Sequence, residues 1–184
     1  MTEVKDKRWN IPNLLSFFRI GIVPILIIIL LSPGRFLSLL AAVLFFVASL
    51  TDLLDGYIAR KFDISSSIGK ALDPLADKIL VSTCLIMLVS LDRAPAWITA
   101  LIIGREIAIM GLRGIAASES FAIEVSRLAK YKTFFQTSAV TGLIIHYPFF
   151  NIDFQSIGEI LLWIAFVLTI WSGTNYLLGF LKNL

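Results

Sequence analysis

The sequence predicts an all-α integral membrane protein with six transmembrane helices, both termini in the cytoplasm, and a short N-terminal juxtamembrane segment. Three observations predict it. Of 184 residues, 58% are hydrophobic and 16% charged, against roughly 45–50% and about 25% in an ordinary soluble domain. The apolar residues form successive stretches near the roughly 20 residues that a helix needs to cross a bilayer. Lys and Arg gather on one side of those stretches, which the positive-inside rule makes cytoplasmic. Six spans leave only about 50 residues for ends and loops, which excludes a separate soluble catalytic domain. Any chemistry must come from helix ends and short connections within one membrane domain, residues 1–184.

The elements follow in order. Residues 1–11 are polar and basic, with Lys5, Lys7 and Arg8 ahead of Trp9, and lie at headgroup level with Trp9 as an interfacial anchor. The bundle then occupies residues 12–181. Helix one runs from Pro12, a favourable first-turn residue, to Leu31, and Ser32-Pro33-Gly34 closes it. Its apolar stretch lacks a small-residue cleavage site and is read as a retained span. Pro24 lies inside it, a kink that a membrane helix tolerates. Helix two spans Phe36 to Ala59, with Arg60 to Ser67 as a polar connection. Helix three runs from Ile68 to Leu91, helix four from Pro95 to Ala117, helix five from Val125 to Tyr147 before Pro148, and helix six from Ile157 to Leu181. The cytoplasmic side holds Lys5, Lys7, Arg8, Arg60, Lys61, Lys70, Lys78, Arg113, Arg127, Lys130, Lys132 and Lys182; the outer side has Arg35 and Arg93. A net charge of +3 sets topology rather than implying nucleic-acid binding. The single cysteine, Cys84, excludes an internal disulfide and a Cys-rich metal site.

Chemistry concentrates at the cytoplasmic ends of helices two and three. Asp52, Asp55, Gly56 and Ala59 are spaced i, i+3, i+4, i+7, and Gly69, Asp73 and Asp77 i, i+4, i+8; each set shares a helix face. A short connection makes the two helices antiparallel neighbours, so four carboxylates can converge. Near a bilayer each costs on the order of 2.5–3.5 kcal/mol, and Asp52 and Asp55 stand at the unfavourable end of a helix dipole. Divalent cations resolve that cost. An all-oxygen donor set favours magnesium, calcium or manganese over zinc, and four clustered Asp suit a two-metal site that handles phosphates. Gly56, Ala59 and Gly69 either serve close helix packing or leave room for a ligand.

Together these residues form Asp-x2-Asp-Gly-x2-Ala-Arg-x8-Gly-x3-Asp-x3-Asp over Asp52–Asp77. The pattern resembles the CDP-alcohol phosphotransferase signature at every fixed position. The resemblance implies about six transmembrane helices, a cytoplasmic active site and a homodimer. It further implies that Asp52, Asp55 and Asp73 ligate metal, two Mg2+ with Mn2+ as a substitute. Asp77 is then a further ligand and the catalytic base. Gly56, Ala59 and Gly69 accommodate the cytidine nucleotide of CDP-diacylglycerol together with Asp52, while Arg60 and Lys70 lie near its phosphates.

The signature leaves the acceptor alcohol open. Arg105 and Glu106 fall near the middle of helix four, where charges are rare and usually functional. Arg113 follows two turns later, and Arg127, Lys130 and Lys132 open helix five. Cations at Arg105, Arg113, Lys130 and Lys132 suit an acceptor with its own phosphate. The alternative pairs Arg105 structurally with a carboxylate, with Glu106 as a structural residue that holds Arg105 in place, and gives the lysines a topological role. Asn10-Ile11-Pro12-Asn13-Leu14-Leu15 with Phe18-Arg19 resembles the opening of bacterial phosphatidylglycerophosphate synthases. Gly104-Arg105-Glu106, Gly111-Leu112-Arg113, Lys130-Tyr131-Lys132-Thr133 and Trp171-Ser172-Gly173 are similar to their later motifs; Ala129 stands where that branch more usually has Gly.

This resemblance implies transfer of a phosphatidyl group from CDP-diacylglycerol to glycerol 3-phosphate at the cytoplasmic face of a bacterial inner membrane, among membrane lipids. Phosphatidylglycerol, inositol phosphate and serine are the competing acceptors within the family. A divalent-cation transporter is the competing class, but its carboxylates would line a midplane path on broken helices, whereas these occupy one face. His146, on the opposite side, takes no part, and Asp153 and Glu159 read as solvated groups of an outer loop.

Overall fold

The computed structural model describes residues 11–62, 67–118 and 127–182; the side chains of 11–13, 52–62, 67–71, 117–118, 127 and 129 lie outside the described residues. Six helices account for nearly all of it: α1 (Ile11–Leu30), α2 (Arg35–Phe62), α3 (Ser67–Ser90), α4 (Ala96–Ser118), α5 (Arg127–Ile145) and α6 (Phe154–Leu181). Among the described residues there is no β-strand, only an isolated bridge between Phe149 and Ile152. The described residues are therefore all-helical in their regular structure. The juxtamembrane segment falls on residues 1–10, outside the described residues, except that Ile11 already opens α1. The chain divides into two compact units, Met1–Cys84 and Leu85–Leu184.

In the first unit α1 packs on α2. The turn between them follows its sequence: Pro33 cannot continue a helix, the Gly34 N–H donates to the Ser32 carbonyl (2.9 Å), and the Ser38 N–H returns to the Gly34 carbonyl (2.8 Å). Pro24 is accommodated within a continuous α1, and Pro74 within α3. Leu26, Leu30, Ala41, Phe45 and Ala48 are fully buried, at the three- and four-residue spacing of a helix face. Outward lie Ile28, Leu31, Phe36 and Val43, each more than half exposed.

In the second unit α6 packs on both α4 and α5. The α3–α4 turn is a Schellman closure: the Arg93 N–H reaches the Leu88 carbonyl (2.9 Å) and the Asp92 N–H the Val89 carbonyl (3.1 Å). Asp92 supplies the left-handed residue (φ 55°), a place usually given to Gly. Helix α5 stops two residues short of Tyr147, the end expected from sequence. The reason is His146, which turns left-handed (φ 59°) while its N–H closes on the Gly142 carbonyl (3.0 Å), and Pro148 follows. Helix α6 starts three residues earlier than expected because Asp153 caps it: its carboxylate accepts from the backbone N–H groups of Gln155 (3.1 Å) and Ser156 (3.4 Å) and the Ser156 hydroxyl (2.6 Å). Asp153 is thus a cap rather than a loop charge, and Glu159 is a helical residue that accepts from Gln155 Nε2 (2.6 Å).

Helices α5 and α6 meet closely at two glycines. A Cβ on Gly142 would lie 3.2 Å from Gly158 Cα, and one on Gly158 would lie 2.8 Å from the Leu143 amide nitrogen. Small residues at such a crossing let backbones approach, as is common in membranes. Trp97 of α4 packs edge-on against Trp163 (5.5 Å) and Phe166 (5.5 Å) of α6. Among the described residues α6 is the one helix long and apolar enough to cross a membrane, with shorter apolar stretches over Leu14–Leu30 and Arg35–Thr51. Ile160, Trp163, Val167, Ile170, Trp171, Leu178 and Leu181 lie exposed along it. A soluble core helix would bury such a series, so the pattern is that of a membrane protein.

Candidate active site

Helix α2 runs unbroken through residues 52, 55, 56 and 59, and α3 through 69, 73 and 77, so both stripes expected from sequence stand on real helices. Four residues separate the two helices, and the carboxylate-bearing ends are consecutive in the chain. The side chains of Asp52, Asp55, Arg60 and Lys70, and the surroundings of Gly56, Ala59 and Gly69, lie outside the described residues.

Asp73 and Asp77 are described, one turn apart and both half-buried. The Ser16 hydroxyl, fully buried on α1, donates to Asp73 Oδ1. Lys78 Nζ lies 2.6 Å from Asp77 Oδ2. Each carboxylate therefore has one oxygen engaged, while the other makes no hydrogen bond or ion pair among the described residues. Hard oxygen donors so placed fit a divalent cation such as Mg2+. No group of three or more candidate metal-ligating side chains gathers among the described residues, of which Asp52 and Asp55 are not part. Ser16 carried no assignment from sequence. Its signal was a hydroxyl inside the apolar run of α1, three residues before Arg19, itself fully buried.

The second unit holds a separate charged group. Glu106, 5% exposed, accepts from Arg105 Nη1 (3.0 Å) and from the almost fully buried Lys132 Nζ of α5. Arg105 Nη2 donates to Ser172 Oγ on α6 (2.9 Å). Two cations thus share one carboxylate. Burying an ion costs about several kcal/mol even when paired, so such a group is a poor stability device and a candidate functional site. The sequence offers Arg105 and Lys132 as acceptor candidates and Glu106 as the residue that holds Arg105, and the structure brings the three side chains together. From the sequence, Ser172 and Gly173 stand out only as part of the Trp171-Ser172-Gly173 motif.

The other two acceptor candidates sit differently. Arg113 is exposed and places its guanidinium over the Tyr176 ring of α6 (5.7 Å), a cation–π geometry. Lys130 is exposed near the start of α5. Neither joins the Arg105–Glu106–Lys132 group. Arg105 and Arg113 nonetheless lean on the same stretch of α6, from Ser172 to Tyr176.

The opposite end of this unit is structural. Arg93, 5% exposed, donates through Nη1 to the Ile144 carbonyl at the end of α5 (2.9 Å). Burial pushes its guanidinium below the ordinary range, partly countered by Tyr147. His146 Nδ1 pairs with Gln155 Oε1 (2.9 Å), whose Nε2 donates to the Arg93 carbonyl (3.3 Å). These bonds fasten the α3–α4 turn, the end of α5 and the start of α6 together, which gives His146 a structural role.

A family model described as CDP-alcohol phosphatidyltransferase matches residues 9–171. The chain belongs to that family. Its curated relatives include proteins named CDP-diacylglycerol–glycerol-3-phosphate 3-phosphatidyltransferase. That of Bacillus subtilis is 42% identical over 95% of each chain. That of Rickettsia typhi is 43% identical over 91% of this chain and 94% of its own, and that of Haemophilus influenzae 38% over 92% of each. A CDP-alcohol phosphatidyltransferase is a transferase of a family generally dependent on divalent metal, in keeping with the carboxylate donor set.

Proposed function

We propose that this CDP-alcohol phosphatidyltransferase moves the phosphatidyl group of CDP-diacylglycerol to glycerol 3-phosphate, giving phosphatidylglycerol phosphate and CMP in phospholipid synthesis. The observation that carries the reading is the relatives' shared name: each is named for that transfer, and each matches more than nine-tenths of this chain at 38–43% identity. The buried Nε of Arg105, which makes no hydrogen bond among the described residues, supports it, because serine offers no phosphate to receive that donor.

The whole chain acts as one membrane domain. It crosses the bacterial inner membrane six times as a homodimer, with termini and active site on the cytoplasmic face; the one-sided distribution of Lys and Arg supports that orientation. Asp52, Asp55, Asp73 and Asp77 hold two divalent ions, Mg2+ with Mn2+ as a substitute. When bound, the ions supply charge screening of the pyrophosphate and stabilisation of the leaving oxygen. Asp52 also borders the nucleotide, for which Gly56, Ala59 and Gly69 leave space. Arg60 and Lys70 meet its phosphates, and Arg105, Arg113, Lys130 and Lys132 bind the acceptor phosphate.

Asp77 then accepts the proton of the primary hydroxyl of glycerol 3-phosphate, which requires direct hydrogen-bond reach or one bridging water. The freed hydroxyl oxygen bonds to the lipid-side phosphorus. The bond from that phosphorus to the bridging oxygen breaks, and CMP leaves with the oxygen and its electron pair. No group crosses the membrane, so a site on one face suffices.

The test is CMP release by the purified protein from CDP-diacylglycerol and Mg2+, with glycerol 3-phosphate, phosphatidylglycerol, serine or inositol phosphate as acceptor. Glycerol 3-phosphate alone is expected to stimulate release. Stimulation by another acceptor in its place overturns the reading.

A further inference from the structure

We propose that Ser172 and Gly173 of α6 are positioning residues that hold the Arg105 guanidinium in the direction of the acceptor phosphate, so that α6 sets selectivity for a phosphorylated alcohol. This rests on the assignment of Arg105 to acceptor binding made above.

Three contacts fix Arg105. Its Nη1 donates to Glu106 and its Nη2 to Ser172 Oγ. The serine hydroxyl in turn donates to the Leu168 carbonyl one turn back on α6 (2.6 Å). That bond spends the hydroxyl proton on its own helix and leaves an oxygen lone pair for the arginine. Gly173 supplies the third contact: a Cβ there would stand 3.0 Å from Arg105 Nε and 3.1 Å from its Cγ. The arginine stem therefore lies on bare α6 backbone, and any side chain at position 173 has to displace it.

The clamp holds the guanidinium without satisfying it. Arg105 Nε is buried and makes no hydrogen bond among the described residues, and Glu106 is shared with Lys132. The arginine carries more N–H donors than these two bonds use, and its side chain stays 15% exposed. A guanidinium so restrained meets a phosphate as a preformed fork and loses little freedom on binding. An uncharged alcohol gains nothing from it.

The experiment measures CMP release against glycerol 3-phosphate concentration at saturating CDP-diacylglycerol and Mg2+, with KM for each substrate and thermal stability in detergent. Arg105→Ala tests the underlying assignment and should raise KM for glycerol 3-phosphate roughly 10–100-fold, as loss of charge-assisted hydrogen bonds does. Gly173→Ala and Ser172→Ala should each raise that KM severalfold, with kcat, KM for CDP-diacylglycerol and stability close to wild type. Ser172→Thr, which keeps the oxygen, should restore KM. In an Arg105→Ala background, Gly173→Ala should add nothing. A raised KM for Arg105→Ala alongside wild-type values for Gly173→Ala and Ser172→Ala overturns this inference alone. An unchanged KM for Arg105→Ala overturns the acceptor assignment and this inference with it. Parallel losses in stability and in both KM values overturn it in favour of general packing; should Gly173→Ala fail to fold, the Ser172→Ala and Ser172→Thr pair decides.

Discussion

Asp77 and Asp73 share one helix face but have different neighbours, and their proposed roles differ accordingly. Asp77 has one oxygen paired with Lys78, and in the proposal the other oxygen serves both the metal and the substrate hydroxyl. General-base catalysis contributes roughly 10²–10⁴-fold, so Asp77→Asn should lower CMP release by about that factor. Near-normal turnover in a steady-state assay would reject the base role. Asp73 is instead braced by Ser16. Ser16→Ala should weaken metal binding severalfold, read directly as Mn2+ affinity by electron paramagnetic resonance, while Ser16→Thr should restore it. Equal Mn2+ affinity in Ser16→Ala and wild type would show that the bond does not serve the metal. Ser16 escaped the sequence reading because a serine in an apolar helix gives no periodic signal. Its meaning comes from a contact 57 residues away in the chain. Glu106 was legible because three charges on apolar helices have few partners other than one another.

At the scale of elements, helix ends and crossings carry the departures from expectation. Hydropathy located six helices, and all six are present, but it could not see caps. Helix α6 begins at Phe154 because Asp153 accepts hydrogen bonds ahead of it. Bonds from the Ser156 hydroxyl and backbone, and from Gln155, hold the Asp153 carboxyl below the ordinary carboxylate range. A depressed folded-state value means that this stabilisation is complete above the unfolded carboxyl's pKa and disappears as pH falls through the lower folded value. Thermal unfolding in detergent should show wild type losing stability across that acidic window, and Asp153→Asn, which caps without titrating, losing less. Identical acid profiles would contradict the cap's contribution. The α5–α6 crossing offers a second check. Gly158→Ala forces a Cβ to 2.8 Å from Leu143, and overpacking of this kind costs about 1–3 kcal/mol. Gly21→Ala on α1, where a Cβ meets nothing within 4 Å, should be neutral or stabilising by about 0.5–1 kcal/mol. Equal unfolding midpoints for the two variants would refute the close crossing.

For the whole molecule, the composition already implied that catalysis must come from helix ends and a few membrane-embedded charges. Among the described residues Asp73 and Asp77 stand near the start of α3, and Arg105, Glu106 and Lys132 form a buried charged group. The signature over Asp52–Asp77 made the family legible because its chemistry depends on fixed helical spacing. The proposed acceptor group was less legible, since Arg105, Lys132 and Ser172 are spread over three helices and only packing unites them. The most direct test of the account follows the acceptor itself. Purified protein with CDP-diacylglycerol, Mg2+ and carbon-13-labelled glycerol 3-phosphate should yield a labelled lipid with two phosphates, identified by mass spectrometry, with one CMP for each molecule formed. CMP released without label entering the lipid would contradict the account.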